Sequence, residues 1–305
     1  MKILVIGGTG HVGSFLVPML LRRGHDVAIG CRGRTSGHTG SALDGARRVI
    51  CNSGDLASLK EVAENEVFDV VVDFPGTAWN VWQAFADTAE HIVACGSLWM
   101  LGYPHVVPTP EMTSETCVFE GYERRYQQII DMLADSRRHK AAFTAIMPPN
   151  ICGPGKIPLD TLGGRDIEVH RANQRGETVY LPEGPEALIG PCDAEDLAQL
   201  YALAIEHRIA AAGQIFNGGT SYSLTATQFV RTMGRIHGKE IPIEYVPWER
   251  YKSEISPGIG WWWHFYAHMA PDISKARKLL GYEPKYTPEE TLLRAVNWMR
   301  QQGML

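Results

Sequence analysis

Short unbroken apolar runs recur through the first half of the chain, separated by stretches with helical spacing. The opening run Met1-Lys2-Ile3-Leu4-Val5-Ile6 breaks at Gly7-Gly8-Thr9-Gly10-His11-Val12-Gly13, and an apolar stretch of helical pattern follows from Ser14 to Leu21. Further strands are predicted at Asp26 to Cys31, Arg48 to Cys51, Phe68 to Phe74, His91 to Cys95 and Ala142 to Met147. Helices are predicted at Ser58 to Glu64, Thr77 to Ala89 and Tyr122 to Arg138. Apolar strands alternating with amphipathic helices are what a parallel sheet covered on both faces requires. The expected fold class is α/β, a doubly wound parallel sheet with a smaller C-terminal α/β domain for substrate.

The rhythm fails at Pro148-Pro149-Asn150 and Gly153-Pro154-Gly155, and the chain reads as loop-rich to about Gly190. Regular structure resumes with a helix from Ala194 to His207 and a strand around Gln214 to Phe216. Beyond these come a helix from Thr225 to His237, a strand from Ile241 to Val246, an aromatic segment, and closing helices near Asp272 to Leu280 and Pro288 to Gln302. The expected division is residues 1–150 with 191–220 as the sheet domain, and 151–190 with 221–305 as the smaller one. No internal repeat or low-complexity segment is visible.

Composition adds exclusions. A chain of 305 residues with net charge −5 and 45% apolar residues can bury a substantial core. It has no basic block to attract nucleic acid or an anionic membrane. No apolar run approaches membrane-spanning length, and the chain opens on a core strand with no room for a signal peptide. The six cysteines form no Cys-x-x-Cys pair. A protein of the reducing cytoplasm is expected.

The glycine turn carries the first chemistry. A backbone that turns sharply, approaches a pyrophosphate and packs a helix onto a strand has reasons to lack side chains at Gly7, Gly10 and Gly13. The helix start then offers N–H groups and a positive dipole end to phosphates. Strand before and helix after make this a dinucleotide site of the Rossmann type rather than a bare turn. The second strand ends Ile29-Gly30-Cys31-Arg32-Gly33-Arg34, without the acid that would grip the ribose diol of NAD. Arg32 and Arg34 stand where a 2′-phosphate would lie, so NADP is the expected cofactor and NAD the alternative.

Further landmarks follow in fixed order: Gly54-Asp55-Leu56, Ser97 before Gly102, Tyr122, Pro148-Pro149-Asn150-Ile151-Cys152-Gly153-Pro154-Gly155, Asp193-Ala194-Glu195-Asp196, Phe216-Asn217-Gly218-Gly219, and Asp272 through Tyr282. On these the chain resembles the extended short-chain dehydrogenases/reductases of the NAD(P)-dependent epimerase/dehydratase type, from the first strand to the last helix. The resemblance implies that Gly7, Thr9, Gly10, His11, Val12 and Gly13 wrap the pyrophosphate. Asp55 and Leu56 would border the adenine, and Phe74, Pro75 and Gly76 would pass beneath the cofactor. Ser97 and Tyr122 match the catalytic serine and tyrosine, while Pro148 and Asn150 would lie near nicotinamide and substrate. The family also suggests a homodimer built on the helices near Thr77 to Ala89 and Tyr122 to Arg138.

Two departures matter. The family's lysine, four residues after the tyrosine, is here Tyr126. A phenol titrates near about pH 10 unless a cation stabilises its anion. Three readings stay open: Tyr126 keeps the ribose contact while the nicotinamide charge or Arg125 supplies the electrostatics; the protein binds cofactor without turnover, as a sensor or scaffold; or Tyr122 merely packs on the sheet. The second departure is Leu188-Ile189-Gly190-Pro191, where nucleotide-sugar enzymes of the family usually carry an arginine for the diphosphate. A small hydroxylated substrate without a nucleotide is expected, met by hydride transfer and a Ser97/Tyr122 proton relay.

Trp261-Trp262-Trp263-His264-Phe265-Tyr266-Ala267-His268 is the most unusual composition. Its rings would suit a sugar face, and with Ser97 and Asn150 the candidates for substrate contact are Trp99, Trp263 and His264. An aromatic patch joining the two domains is the equal alternative. His264 and His268 lack a third ligand, so no metal is expected. The His-Phe-Tyr-Ala run is also similar, over a short stretch, to relatives of chloroplast stem-loop RNA-binding proteins, which leaves an RNA or macromolecule binder as the rival class. The acidic net charge opposes it, and no nucleic acid partner is expected.

Overall fold

The computed structural model describes residues 1–33, 40–103, 106–112, 117, 119–258 and 260–305. Five apolar runs of the first half form strands β1 (Lys2–Ile6), β2 (Asp26–Cys31), β4 (Val70–Asp73), β5 (His91–Cys95) and β6 (Ala142–Met147). The shorter β3 (Arg47–Ile50) joins them, and Gln214–Asn217 returns to complete a seven-stranded sheet. Every pairing within this sheet is parallel, in the order β3-β2-β1-β4-β5-β6 and then Gln214–Asn217.

Helices cover both faces. On one side α1 (Gly13–Arg22) and α6 (Ala194–Glu206) bury Leu16, Val17, Leu197 and Tyr201 against Val5, Ile29 and Val72. On the other, α2 (Leu56–Asn65), α3 (Ala78–Phe85) and α4 (Tyr122–Asp135) bury Leu59, Val81, Phe85 and Met132 against Leu4, Val71 and Ile92. Strand order reverses beside β1, so the crevice at the carboxyl ends of β1 and β4 is where a doubly wound sheet places its ligand.

Element ends depart from expectation for local reasons. β4 starts at Val70 rather than Phe68 because the Asp69 carboxylate takes the Lys2 backbone N–H at 2.7 Å. α3 stops at Phe85, short of Ala89, where the Thr88 hydroxyl takes the Phe85 carbonyl and the Ala141 N–H takes that of Ala86.

The stretch expected to be loop-rich is more regular than that. Asn150–Cys152 is β7, Ile167–Arg175 is helix α5, and Val179–Pro182 and Leu188–Ile189 are β8 and β9. α5 escaped detection because its buried residues are the polar His170 and Asn173. Its ends follow ordinary capping chemistry: the Asp166 carboxylate accepts the Glu168 N–H, and Gly176 closes the helix in the left-handed conformation.

These short strands pair with later ones: β7 with Pro191–Asp193, β9 with Leu224–Thr225, and β8 with Ile243–Val246. Together with the helix Ala226–His237 they bury Leu181, Phe229, Met233, Tyr251 and Phe265 in a core distinct from the two faces of the sheet. Among the described residues no helix is long and apolar enough to cross a membrane.

Candidate active site

β1 delivers the chain into a turn that only glycine can make. Gly7 has φ +78°, and its N–H donates to the Gly30 carbonyl at 3.0 Å while its own carbonyl accepts from Gly10 at 2.8 Å. A Cβ on Gly13 would lie 2.6 Å from the Gly7 oxygen and equally close to Gly8 Cα, so helix and strand touch backbone to backbone. α1 begins at Gly13 without a side-chain cap, and its positive dipole end faces the turn. The close, side-chain-free turn is the shape that the expected pyrophosphate contact requires.

Beside it opens a cleft of about 360 Å³ lined by Gly7, Thr9, Cys31, Arg32, Asn52, Ser53 and Pro75. Arg32 is exposed at its edge and makes no ion pair among the described residues. Arg34, the second cation of the expected 2′-phosphate pair, lies outside the described residues. Asp55 spends its carboxylate on the Ala57 N–H as the cap of α2, which Leu56 opens, so the cleft's far wall is formed by Cys51 to Gly54.

The other end of the crevice collects the expected catalytic groups. Phe74 donates its N–H to Ile6 and lays its ring on Tyr201 at 4.7 Å, and Pro75 Cδ packs 3.0 Å from where a Gly7 Cβ would stand. Ser97 follows β5 and accepts the Trp99 N–H on its hydroxyl oxygen at 3.3 Å, which leaves the hydroxyl proton to donate. Pro148 accepts the Leu98 N–H at 3.0 Å and so ties the end of β6 to the turn after Ser97.

Tyr122 and Tyr126, one turn apart on α4, both pack against the cluster of Leu98, Trp99 and Phe119. Burial pushes the Tyr126 phenol up, so Tyr126 offers no charge to its neighbour. Arg125 does. Its guanidinium carbon stands 5.7 Å from the centre of the Tyr122 ring, and a Cβ on Gly76 would meet its Nη2. Among the described residues it makes no hydrogen bond or ion pair. Behind it, at the end of β4, the buried Asp73 is raised to about 6 by burial, although it accepts the Thr77 hydroxyl at 2.7 Å and feels the Arg125 charge.

The aromatic segment closes over this end. Trp99 is packed edge-on by Phe119 at 4.6 Å and His264 at 4.9 Å, with Trp263 at 5.9 Å. Trp99 is only 8% exposed, so its ring serves packing first. Trp262–Phe265 is a 3₁₀ turn, and the two histidines do not act as a pair. His268 accepts the Leu188 N–H, whereas His264 Nδ1 accepts from Asn150 Nδ2 at 2.9 Å. Asn150 is itself oriented by the Gly190 N–H on its Oδ1 at 3.3 Å. This relay leaves the imidazole proton on Nε2, and burial followed by the Arg165 charge holds His264 down at about 3. It is a neutral ring and a hydrogen-bond donor. Among the described residues no cluster of His, Cys, Asp or Glu could hold a metal.

Sequence reasoning missed Asp73, visible only as a carboxylate ending the apolar run Val70-Val71-Val72, and Arg165, hidden in the stretch read as loop. It also missed that His11 reaches across: its Nε2–H donates to the Pro154 carbonyl at 2.9 Å.

Sheet order, glycine cradle and crevice together define a Rossmann-type dinucleotide-binding protein. Residues 3–219 match the NAD dependent epimerase/dehydratase family, and the chain belongs to that family, within the extended short-chain dehydrogenases/reductases. It is 26% identical to the UDP-glucose 4-epimerase of Corynebacterium glutamicum, across 96% of this chain and 94% of that one. It is 24% identical to a dTDP-6-deoxy-L-talose 4-dehydrogenase (NAD(P)(+)) of Kitasatospora kifunensis, across 95% and 93%. The fold is shared with the UDP-glucose-4-epimerase of Stenotrophomonas maltophila solved with NAD and formylated UDP-arabinopyranose, at TM-score 0.77, 18% identity and 99% coverage of both chains. It is shared equally with the Thermotoga maritima UDP-glucose 4-epimerase, at TM-score 0.76, 20% identity and 99% coverage of both. The protein is an NAD-dependent epimerase/dehydratase-like enzyme with a nicotinamide cofactor.

Proposed function

We propose that the enzyme prefers NADP and acts on a small hydroxylated substrate without a nucleotide, as an oxidoreductase or as an epimerase or dehydratase with hydride transfer inside the cycle. The observation that carries the substrate class is the segment Leu188–Pro191. Ile189 is fully buried, Gly190 exchanges its N–H and C=O with Asn150, and Leu188 is bonded to His268 and Met269. A segment so closed and apolar has no cation for a diphosphate.

The nicotinamide, when bound, supplies and recovers the hydride. Ser97 polarises the reacting oxygen through a hydrogen bond from its hydroxyl, and Tyr122 passes the one proton that accompanies the hydride. Arg125 gives the Tyr122 phenolate the positive charge that Tyr126 cannot, and neutral His264 adds a donor from the opposite wall. Asn150 keeps that donor in one tautomer. Arg32 supports the NADP preference as a cation at the mouth of the adenosine cleft.

Titration with UDP- and dTDP-sugars tests the substrate class, and tight binding would overturn it. Comparing NADPH with NADH in the wild type and Arg32→Ala tests the cofactor, an unchanged ratio counting against the preference. The Tyr122→Phe variant should abolish turnover while keeping cofactor affinity, and unchanged turnover would remove Tyr122 from the reaction. All six cysteines are unpaired thiols, which supports the reading of a reducing cytoplasm. The homodimer through α3 and α4 is tested by light scattering.

A further inference from the structure

Arg165 follows Gly163-Gly164 at the entrance to α5, and the chain encloses its guanidinium without pairing its charge. Nη1 donates to the Ile157 carbonyl at 2.7 Å and Nη2 to the Ile151 carbonyl at 2.9 Å. A guanidinium carries more N–H donors than these two bonds use. No carboxylate lies within ion-pair distance among the described residues. Asp160, the acid whose field reaches Arg165, is consumed by backbone: Oδ1 accepts from Leu162 and Gly164 at 2.8 and 3.0 Å, and Oδ2 from Asp166 at 2.8 Å.

Apart from Asp160, no carboxylate acts on Arg165 among the described residues. Burial keeps the Cys152 thiol protonated, His264 is neutral, and the same loop adds a second unpaired cation, Lys156, held below its usual range by burial and by Arg165. Arg165 is half-buried and Lys156 is exposed on the same loop, so an arriving anion would meet both cations.

Their location says where that charge would come from. Arg165 grips the carbonyl of Ile151, the neighbour of Asn150. Asn150 holds His264, whose ring meets Trp99, which in turn donates its N–H to Ser97. The loop carrying both cations takes the His11 bond at Pro154. We propose that Arg165, assisted by Lys156, receives an anionic group of the substrate, a carboxylate or a phosphate, so that the enzyme acts on a hydroxy acid or a phosphorylated polyol rather than a neutral sugar. The guanidinium fork suits either anion. This rests on the reading that substrate binds against Ser97 and Asn150.

The test is thermal unfolding of the full chain, with and without NADPH, in glycolate, inorganic phosphate or the neutral isostere glycolamide, at ionic strength fixed with sodium chloride. Glycolate or phosphate is expected to raise Tm by roughly 2–4 °C over chloride, with no response to glycolamide. The responding anion identifies the substrate class. Arg165→Met should abolish the rise, Lys156→Met should weaken it, and Arg165→Lys should keep part of it. If Arg165→Met does not fold, the affinities of the other two variants decide. No anion-specific rise in the wild type, or an equal one in every variant, overturns the proposal. Anion binding without turnover of any hydroxy acid or polyol phosphate would overturn the proposed reaction and leave this inference standing.

Discussion

At the scale of single residues, the unusual fact is a tyrosine whose helix supplies arginine at the third position instead of lysine at the fourth. Among the described residues the charged groups beside Tyr122 in the chain are Glu120, Glu123, Arg124 and Arg125, with Asp73 beyond Arg125, while Tyr122 packs on the cluster of Trp99 and Phe119 that Trp263 also joins. Arg125 is the cation that stands 5.7 Å from the centre of the Tyr122 ring. Arg125→Met is therefore expected to lower kcat at neutral pH by about 10- to 100-fold and to move the ascending limb of its pH profile upward, while Arg125→Lys restores most of both. An unmoved limb would show the guanidinium to be structural. His264, neutral down to about pH 3, should contribute no limb at all between pH 5 and 8. Its part is to donate, so His264→Gln should hold KM near wild type and His264→Phe should raise it about tenfold.

At the scale of elements, the glycine turn was fully legible because backbone contact dictates sequence directly. Gly13→Ala puts a methyl group 2.6 Å from backbone that cannot yield, so loss of measurable NADPH binding by calorimetry and about 1–3 kcal/mol of stability are expected. Gly10→Ala, at 3.0 Å from the Gly7 oxygen, should be milder. The long apolar strands were legible for a related reason: burial on both faces leaves no choice of residue type. α5 was not, because its packing is made by His170 and Asn173, polar side chains whose bonds to Pro158 and Thr161 exist only after folding. The same limit hid the Asn150–His264 relay, whose partners were each nameable as candidates but whose pairing spans more than a hundred residues of chain. Arg294 is a further case. It ties buried Asp193, Glu195 and the Tyr286 hydroxyl together at 2.7–2.9 Å. Arg294→Met leaves Asp193 unpaired and should cost about 2–4 kcal/mol in chemical denaturation near neutral pH, the loss shrinking below about pH 6, where Asp193 protonates.

At the scale of the whole molecule, acid acts through groups that burial keeps neutral. His91 is lowered to about 4 by burial and then by Arg208, so protonation from the ordinary 6.5 downward favours the unfolded chain, and the stability it contributes is full above 6.5 and lost as pH falls towards 4. Asp73 and Asp193, raised to about 6, act in the opposite sense over part of that window. The contribution of His91 is isolated by His91→Gln, which retains a donor for the Thr144 hydroxyl. The stability difference should shift towards the variant by up to about 3 kcal/mol between pH 6.5 and 4, and a constant difference would mean that His91 titrates normally. One bond joins distant parts of this molecule: the His11 imidazole of the phosphate turn holds the Pro154 carbonyl of the loop that carries Lys156 and Arg165. With that link in place, NADPH and a bound anion are expected to show reciprocal cooperativity in calorimetric titrations, each tightening its counterpart by the same factor. Severing that tether with His11→Ala should make their association constants independent.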